Sequence, residues 1–530
     1  MSVLTVVTFV GFTALVGILS YFWTKGTDEE HSDGYFLGGR SLTAPVIAGS
    51  LLLTNLSTEQ IVGLTGQAYN EGLVVMAWET LAAIAMVVTA LFLLPRYLKG
   101  GISTIPQFLH DRYDRQVRTI TSALFLSGYV IVLLPIVLYS GSLALSSIFN
   151  VPEALGVSDT TALWLTVWAV GIIGSIYAIF GGLKAVAVSD TINAVGLFTG
   201  GLLVPAFGLA YIGDGSILDG LSSLVENNPD KFIAAGGSQS SIPLATIFTG
   251  MMLVQLFYWG TNQAIIQRAF AATNLKEGQK GLLLAACLKI AGPLIVVLPG
   301  IIAYQIFEGG LEVADTAYPK LVSTVLPNWL LGFFAAVLFG AILSSFNSAL
   351  NSSVTLFGVD IYRAHIKHDA TDTETVRAGK KFGVLLALLS MFVAPFIANA
   401  PSGLFGYLQE VNGAYSIPIL TIVVVGYLTK YVPARAAKIA LASGVGLYIF
   451  SQFILKPLIG ADGYPHFLHV MAILFVLNTL IMLAIGRSSP REEPFVLKDT
   501  GAVDLAGWSL AKPAGMVIVV VVVSTYIVFV

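Results

Sequence analysis

Six polar residues, Thr54, Asn55, Ser57, Thr58, Glu59 and Gln60, crowd into seven positions of the otherwise apolar stretch LLTNLSTEQIVGL, Leu52 to Leu64. Hydroxyls, amides and a carboxylate supply both hydrogen-bond donors and acceptors. Their chemistry is reversible binding of a polar solute or of a hard cation, which takes oxygen ligands. Main-chain carbonyls join such a site only where a helix unwinds, because an intact helix uses each carbonyl in its next turn. A second group, Ala341, Ser344 and Ser345, lies at i, i+3 and i+4 of another apolar run and so on one helix face. On residue type alone these serines read first as small residues that let helices pack closely.

Five ionisable residues also fall within apolar runs: Glu59, Glu79, Asp190, Lys289 and Glu410. At the centre of a bilayer each costs about 2.5 to 3.5 kcal/mol on insertion scales, so each reads as a paired or cavity-facing group.

The elements that must position these residues are unusually apolar. Of 530 residues, 56% are hydrophobic and only 11% charged, against about 25% charged in a soluble domain. The chain reads as an all-α integral membrane protein whose surroundings are the lipid bilayer. A net charge of −3 without any basic block speaks against a nucleic-acid partner. The single cysteine, Cys287, excludes an internal disulfide and a thiolate zinc site. The stretch MSVLTVVTFVGFTALVGILSYFW has no positively charged start and no small-residue cleavage site, so it reads as a retained span.

About fourteen transmembrane helices are expected, near residues 3–23, 42–69, 74–95, 119–148, 160–180, 185–212, 243–266, 281–306, 328–359, 382–399, 403–428, 436–456, 467–486 and 513–530. With the N-terminus outside the cytoplasm, alternate loops collect all of the 27 basic residues except Lys231, Lys289, Lys320 and Lys456. That bias sets the orientation of a multi-pass protein in the cell membrane. Arg268 is counted among the loop residues, which leaves no arginine at the centre of a span. The outer segments near 213–242 and 307–327 read as loops with short surface helices.

The polar stretch falls inside the second span, and LFYWGTNQ, Leu256 to Gln263, interrupts the seventh in a similar place. Spans five apart start on opposite sides of the membrane. This is the signature of an inverted repeat whose binding site lies where two discontinuous helices meet. The implied division is 1–41 as an extra helix and loop, 42–213 as the first five-helix repeat and 214–242 as an extracellular loop. A second repeat follows at 243–430, with additional helices at 431–530.

The motifs GYFLGGRSL (34–42), TNLSTEQIVGLTGQAY, GGLKAVAVSDTINA, YWGTNQAIIQRAFAA and FGAILSSFNSALNSSVTLFGVDIYR occur in this order, and the likeness that they carry runs to about residue 430. In them the chain resembles the solute:sodium symporters, and within that family the sodium/glucose cotransporter branch. The resemblance implies a LeuT-like five-plus-five fold, no enzymatic activity, and import of a neutral sugar with the sodium ion by alternating access. It assigns sodium to the carbonyls of Leu53, Leu56 and Ala341 and the hydroxyls of Ser344 and Ser345. It places sugar against Gln60, Glu79, Gln255, Tyr258, Lys289 and Gln409, with Leu64, Trp78 and Phe405 as an outer gate. Asp190 and Ser348, with Ser344, resemble part of a second sodium site or ion-exit route found in some members.

Gln255 stands where a bacterial member has asparagine, and three further positions depart from the family's pattern. Ala82 stands where a bacterial member has a sugar-contacting serine, Trp78 where it has a tyrosine, and Asn347 where members with a second sodium site have a serine. A single sodium is therefore expected. Competing readings keep the fold and change the cargo to a polyol, organic acid or amino acid, or make the protein a nutrient sensor or a sodium channel. A carboxylate cargo favours an arginine clamp, and a sensor an appended signalling domain.

Overall fold

The computed structural model describes residues 3–25, 31–399, 404–460 and 463–530. Among these residues the regular structure is helical, with β-type pairing limited to two isolated bridges, Leu42 with Ala272 and Asn274 with Asp504. Eleven helices are long and apolar enough to cross a membrane, or thirteen when two pairs bent by 48° each count as one span. The expected fourteen is not reached, and the difference lies in the 42-residue run Thr58–Lys99, part of the stretch to which hydropathy assigns the second and third spans. At about 1.5 Å per residue such a run is roughly twice as long as a bilayer core is thick. It is broken at Gly72 (φ 72°, ψ −139°), where a Cβ would strike the backbone of Lys231.

The helices that carry the site are α1 (Val3–Thr24), α2 (Ala44–Asn55), α3 (Thr58–Glu71), α4 (Ala77–Val88), α5 (Asp159–Ile212), α6 (Met252–Gly260), α7 (Gln263–Phe270), α8 (Leu275–Ile290), α9 (Asn328–Thr355) and α10 (Leu404–Leu428). α5 is two spans in one helical run. It turns at Gly182 (φ 60°, ψ −171°), close to where the glycine pair 181–182 predicts a split.

Burial divides the bundle. The span built on α9 is 78% enclosed, whereas α1 and Ala511–Phe529 are 17% enclosed and present apolar side chains outward. Only lipid suits such an outer surface. α9 packs on α5, α1 and α2, α8 packs on α2 and α4, and α7 packs on both α2 and α9, which brings the second break next to the first.

The bent pair at α6 and α7 is the interruption expected in the seventh span. The other, Leu275–Ile290 with Gly292–Ile306, was expected to run straight through 281–306. Pro293 explains it, since proline lacks the N–H that the preceding turn needs. The short helices Ile217–Asn227 and Ala317–Val325 occupy the two segments read as loops with surface helices.

Candidate functional site

α2 stops where Asn55, Ser57 and Thr58 follow one another, because such side chains compete with the helix for backbone groups. Its last hydrogen bond runs from Leu56 N–H to Leu52 O at 2.8 Å. Leu56 (φ −75°, ψ 58°) and Ser57 (φ −80°, ψ 171°) then leave helical geometry, and α3 begins with Ile61 N–H donating to Ser57 O at 2.9 Å. The carbonyls of Leu53 to Leu56 are thereby released from the helical ladder. The hydroxyl face of α9 meets them. Ser345 Oγ donates to Thr54 O at 3.0 Å, and Thr54 Oγ1 lies 3.3 Å from Ser344 Oγ and 3.1 Å from Ser348 Oγ. Ala341, fully buried, lies one turn before the serines.

A cavity of about 770 Å³, partly open to solvent, adjoins this contact. Thr54, Ser345 and Ser348 line it together with Gln60, Gln255, Tyr258 and Gln409. The break and the amide-bearing residues thus share one space. Gln255 is held in place by donating to Trp78 O at 2.9 Å and accepting from Trp259 Nε1 at 3.2 Å. In the cavity wall Trp78 and Phe405 meet edge to face, 5.2 Å apart at 83°. Leu64 is fully buried nearby but is not part of that wall.

Glu79 and Lys289 lie behind the wall, with neither side chain exposed. Glu79 Oε1 accepts from Gln60 Nε2, and Glu79 Oε2 pairs with Lys289 Nζ. Lys289 also donates to Asn55 Oδ1 at 2.5 Å. Gly292 gives the Glu79 carboxylate room, because a Cβ there would collide with it. The ion pair orients Gln60 and Asn55, which are the groups that reach the cavity.

A second buried pair sits below the break. Asp190 Oδ2 accepts from Ser50 Oγ at 2.6 Å, lies 3.5 Å from Thr54 Oγ1 and is 3.6 Å from an Arg268 nitrogen. Arg268 Nε donates to Ser50 Oγ at 2.8 Å, and its other nitrogens reach Ala264 O and Ser348 Oγ. The placing of Arg268 in a cytoplasmic loop is therefore corrected. It is fully buried on α7, because Ile265, Ile266, Ala269 and Phe270 carry the chain inward past the bend before it emerges. Glu410, the remaining ionisable residue of the apolar runs, pairs with Lys456 at 2.6 Å and does not line the cavity.

The break between α6 and α7 is closed by aromatic hydroxyls. Tyr129 Oη donates to Asn262 Oδ1 at 2.7 Å and accepts from Ala264 N–H at 3.0 Å, while Tyr97 Oη donates to Gly260 O at 2.8 Å. Asn262 is the N-cap of α7.

The residue types required were visible in the sequence for several of these contacts. Ser50 and Thr54 are four apart and so share the face of α2 that meets Asp190. Thr54 and Asn55 belong to the polar stretch yet receive no role from the resemblance. Tyr129 and Arg268 carried no signal, because nothing in the sequence says which tyrosine or arginine folds back onto a break.

The family model for the sodium:solute symporters matches residues 35–444, most of the chain and both breaks. The chain belongs to the sodium:solute symporter family. This symporter is 48% identical over 526 residues to the uncharacterized symporter YidK of Escherichia coli (strain K12), covering 99% of this chain and 91% of that one. It is 33% identical over 453 residues to the sodium/glucose cotransporter of Vibrio parahaemolyticus, covering 81% of each. Its fold matches a structure of a Na+-coupled sialic acid symporter with a TM-score of 0.78, at 18% identity, over 93% of this chain and 99% of the other. The symporter's fold is thus the LeuT-like one, and its family is one of transporters and not of enzymes.

Proposed function

We propose that this symporter imports a neutral sugar, a hexose such as galactose or glucose, together with sodium by alternating access. The observation that carries the reading is the meeting of the released α2 carbonyls with the serine face of α9 in the wall of an amide-lined cavity. In this reading sodium takes the carbonyls of Leu53, Leu56 and Ala341 and the hydroxyls of Ser344 and Ser345, an all-oxygen set suited to a hard cation. The sugar takes Gln60, Gln255 and Gln409, with Glu79 and Lys289 holding Gln60 in register, and Tyr258 closing the site from below. Trp78 and Phe405, backed by Leu64, close the outer side.

Asp190 and Ser348 already engage Arg268, which supports one sodium over two. The two inverted repeats are 42–213 and 243–430, with the N-terminus outside the cell membrane. One sodium entering down about 100 mV releases roughly 2.3 kcal/mol. That sustains roughly forty-fold accumulation of solute, at tenfold per 1.4 kcal/mol.

Uptake of radiolabelled galactose and glucose by proteoliposomes tests the coupling. Uptake is expected to need sodium and to stop when choline replaces it; equal uptake in both salts rejects the proposal. A thermal-shift panel in sodium tests the cargo, because stabilisation by a carboxylate solute and by no sugar overturns that choice. A current that flows without sugar and does not saturate with it marks a channel instead.

A further inference from the structure

One acid in the cavity has no part in the scheme above. Glu59 lies in the first turn of α3, is 6% exposed, and lines the same cavity as Gln60, Gln255 and Gln409. Its Oε2 has no hydrogen-bond partner among the described residues. Two features of its surroundings say what it lacks. The first turn of a helix carries unpaired N–H groups and the positive end of the helix dipole, so a carboxylate there is tolerated as an anion. No lysine or arginine lines the cavity, and the buried cations Lys289 and Arg268 are engaged with Glu79 and Asp190.

A buried acceptor left unmet costs about 1 to 3 kcal/mol, and more when charged. Its donor has to come from whatever enters the cavity. We propose that Glu59 is a cargo-binding residue, whose free carboxylate oxygen accepts a hydrogen bond from a hydroxyl group of the transported sugar. This rests on the sugar reading above and deepens it. Glu59 and Gln60 are successive residues about 100° apart around α3, so they address two different edges of one cargo. Gln60 is steered by Glu79, whereas Oε2 of Glu59 is left to bond. The carboxylate also repels an anionic cargo, so a sugar acid is excluded while its neutral parent is admitted.

The test is equilibrium binding, in sodium, of galactose, glucose, their monodeoxy derivatives and galacturonate to the purified full-length protein and to Glu59→Gln. The variant is expected to bind the preferred parent sugar about tenfold more weakly, as for exchange of a charged acceptor for a neutral one in a single hydrogen bond. One monodeoxy sugar should bind the wild type and the variant alike, because the hydroxyl that meets Glu59 is then missing in both. Galacturonate should bind only the variant. Thermal stabilisation by sodium shows whether the variant is folded. Should Glu59→Gln fail to fold, the same deoxy series with Glu59→Asp must single out one hydroxyl. A variant that weakens every sugar equally, or that weakens sodium alone, overturns the proposal and leaves the sugar reading standing. A wild type that binds none of the sugars overturns both.

Discussion

The break between α2 and α3 and the break between α6 and α7 interrupt two spans in matching places, yet their backbone groups meet different fates. At the second break Tyr97 takes the carbonyl of Gly260, and Tyr129 with Asn262 takes the N–H of Ala264. At the first, four consecutive carbonyls leave the ladder, and one of them, Thr54 O, receives a side-chain hydrogen bond, from Ser345. A discontinuous helix is therefore not a binding site by virtue of being discontinuous. It becomes one where the released carbonyls meet side-chain oxygens from a neighbouring helix, as at the first break; the second, whose Asn262 and Ala264 line the same cavity, is instead braced by tyrosine hydroxyls on Gly260 and Ala264 and so acts as a joint.

Arg268 ties the joint to the site, since it leaves α7 and reaches Asp190, Ser50 and Ser348 around the first break. Arg268→Ala tests that link and carries the largest expected effect. It strands Asp190 as an unpaired buried charge, which costs about 3 to 5 kcal/mol. Thermal unfolding in detergent should show a large loss of stability, and Arg268→Ala with Asp190→Ala should recover part of it. An unchanged melting temperature for Arg268→Ala means that the two breaks are not mechanically joined.

How much of this was legible beforehand follows from what each contact is made of. The first break could be read because its cause is local: Asn55, Ser57 and Thr58 are poor helix interior residues wherever they occur, and Ser344 and Ser345 share a face by spacing alone. The retreat of Glu79 and Lys289 behind Gln60 could not be read, since it depends on Gly292 giving the carboxylate room across the bundle. Hydropathy likewise missed the bend at Ala291, because Gly292 and Pro293 hardly lower the apolar content of that span. Arg268 was misplaced for a related reason. A positive charge near the end of an apolar run resembles a loop residue until its partner, 78 positions earlier in the chain, is known to lie beside it.

Ser345→Ala separates the breaks from the ion's side. Removing the hydroxyl that meets the α2 carbonyls should weaken sodium about tenfold, the worth of one oxygen contact to a charged group, and, because Thr54 O loses its donor, should lower the melting temperature measured without sodium by the equivalent of about 1 to 3 kcal/mol. Sodium titrations of sugar uptake in proteoliposomes read the first quantity. A wild-type sodium dependence in Ser345→Ala removes α9 from the ion site and with it the contrast drawn between the two breaks.

Tyr129→Phe makes the complementary cut and carries the smallest expected effect. The ring stays packed against Phe125, so only the hydroxyl is lost. Ala264 N–H keeps Asn262 Oδ1 as its acceptor at 3.1 Å, and that oxygen keeps Ala264 as its donor, so no buried group at the joint is left without any partner. The cost is then the net worth of an ordinary hydrogen bond, about 1 kcal/mol, seen as a modest fall in melting temperature. Sodium affinity should stay at the wild-type value, because none of the groups assigned to the ion touches Tyr129. If instead Tyr129→Phe shifts sodium affinity as far as Ser345→Ala does, the second break is part of the ion's machinery and the division between joint and site fails.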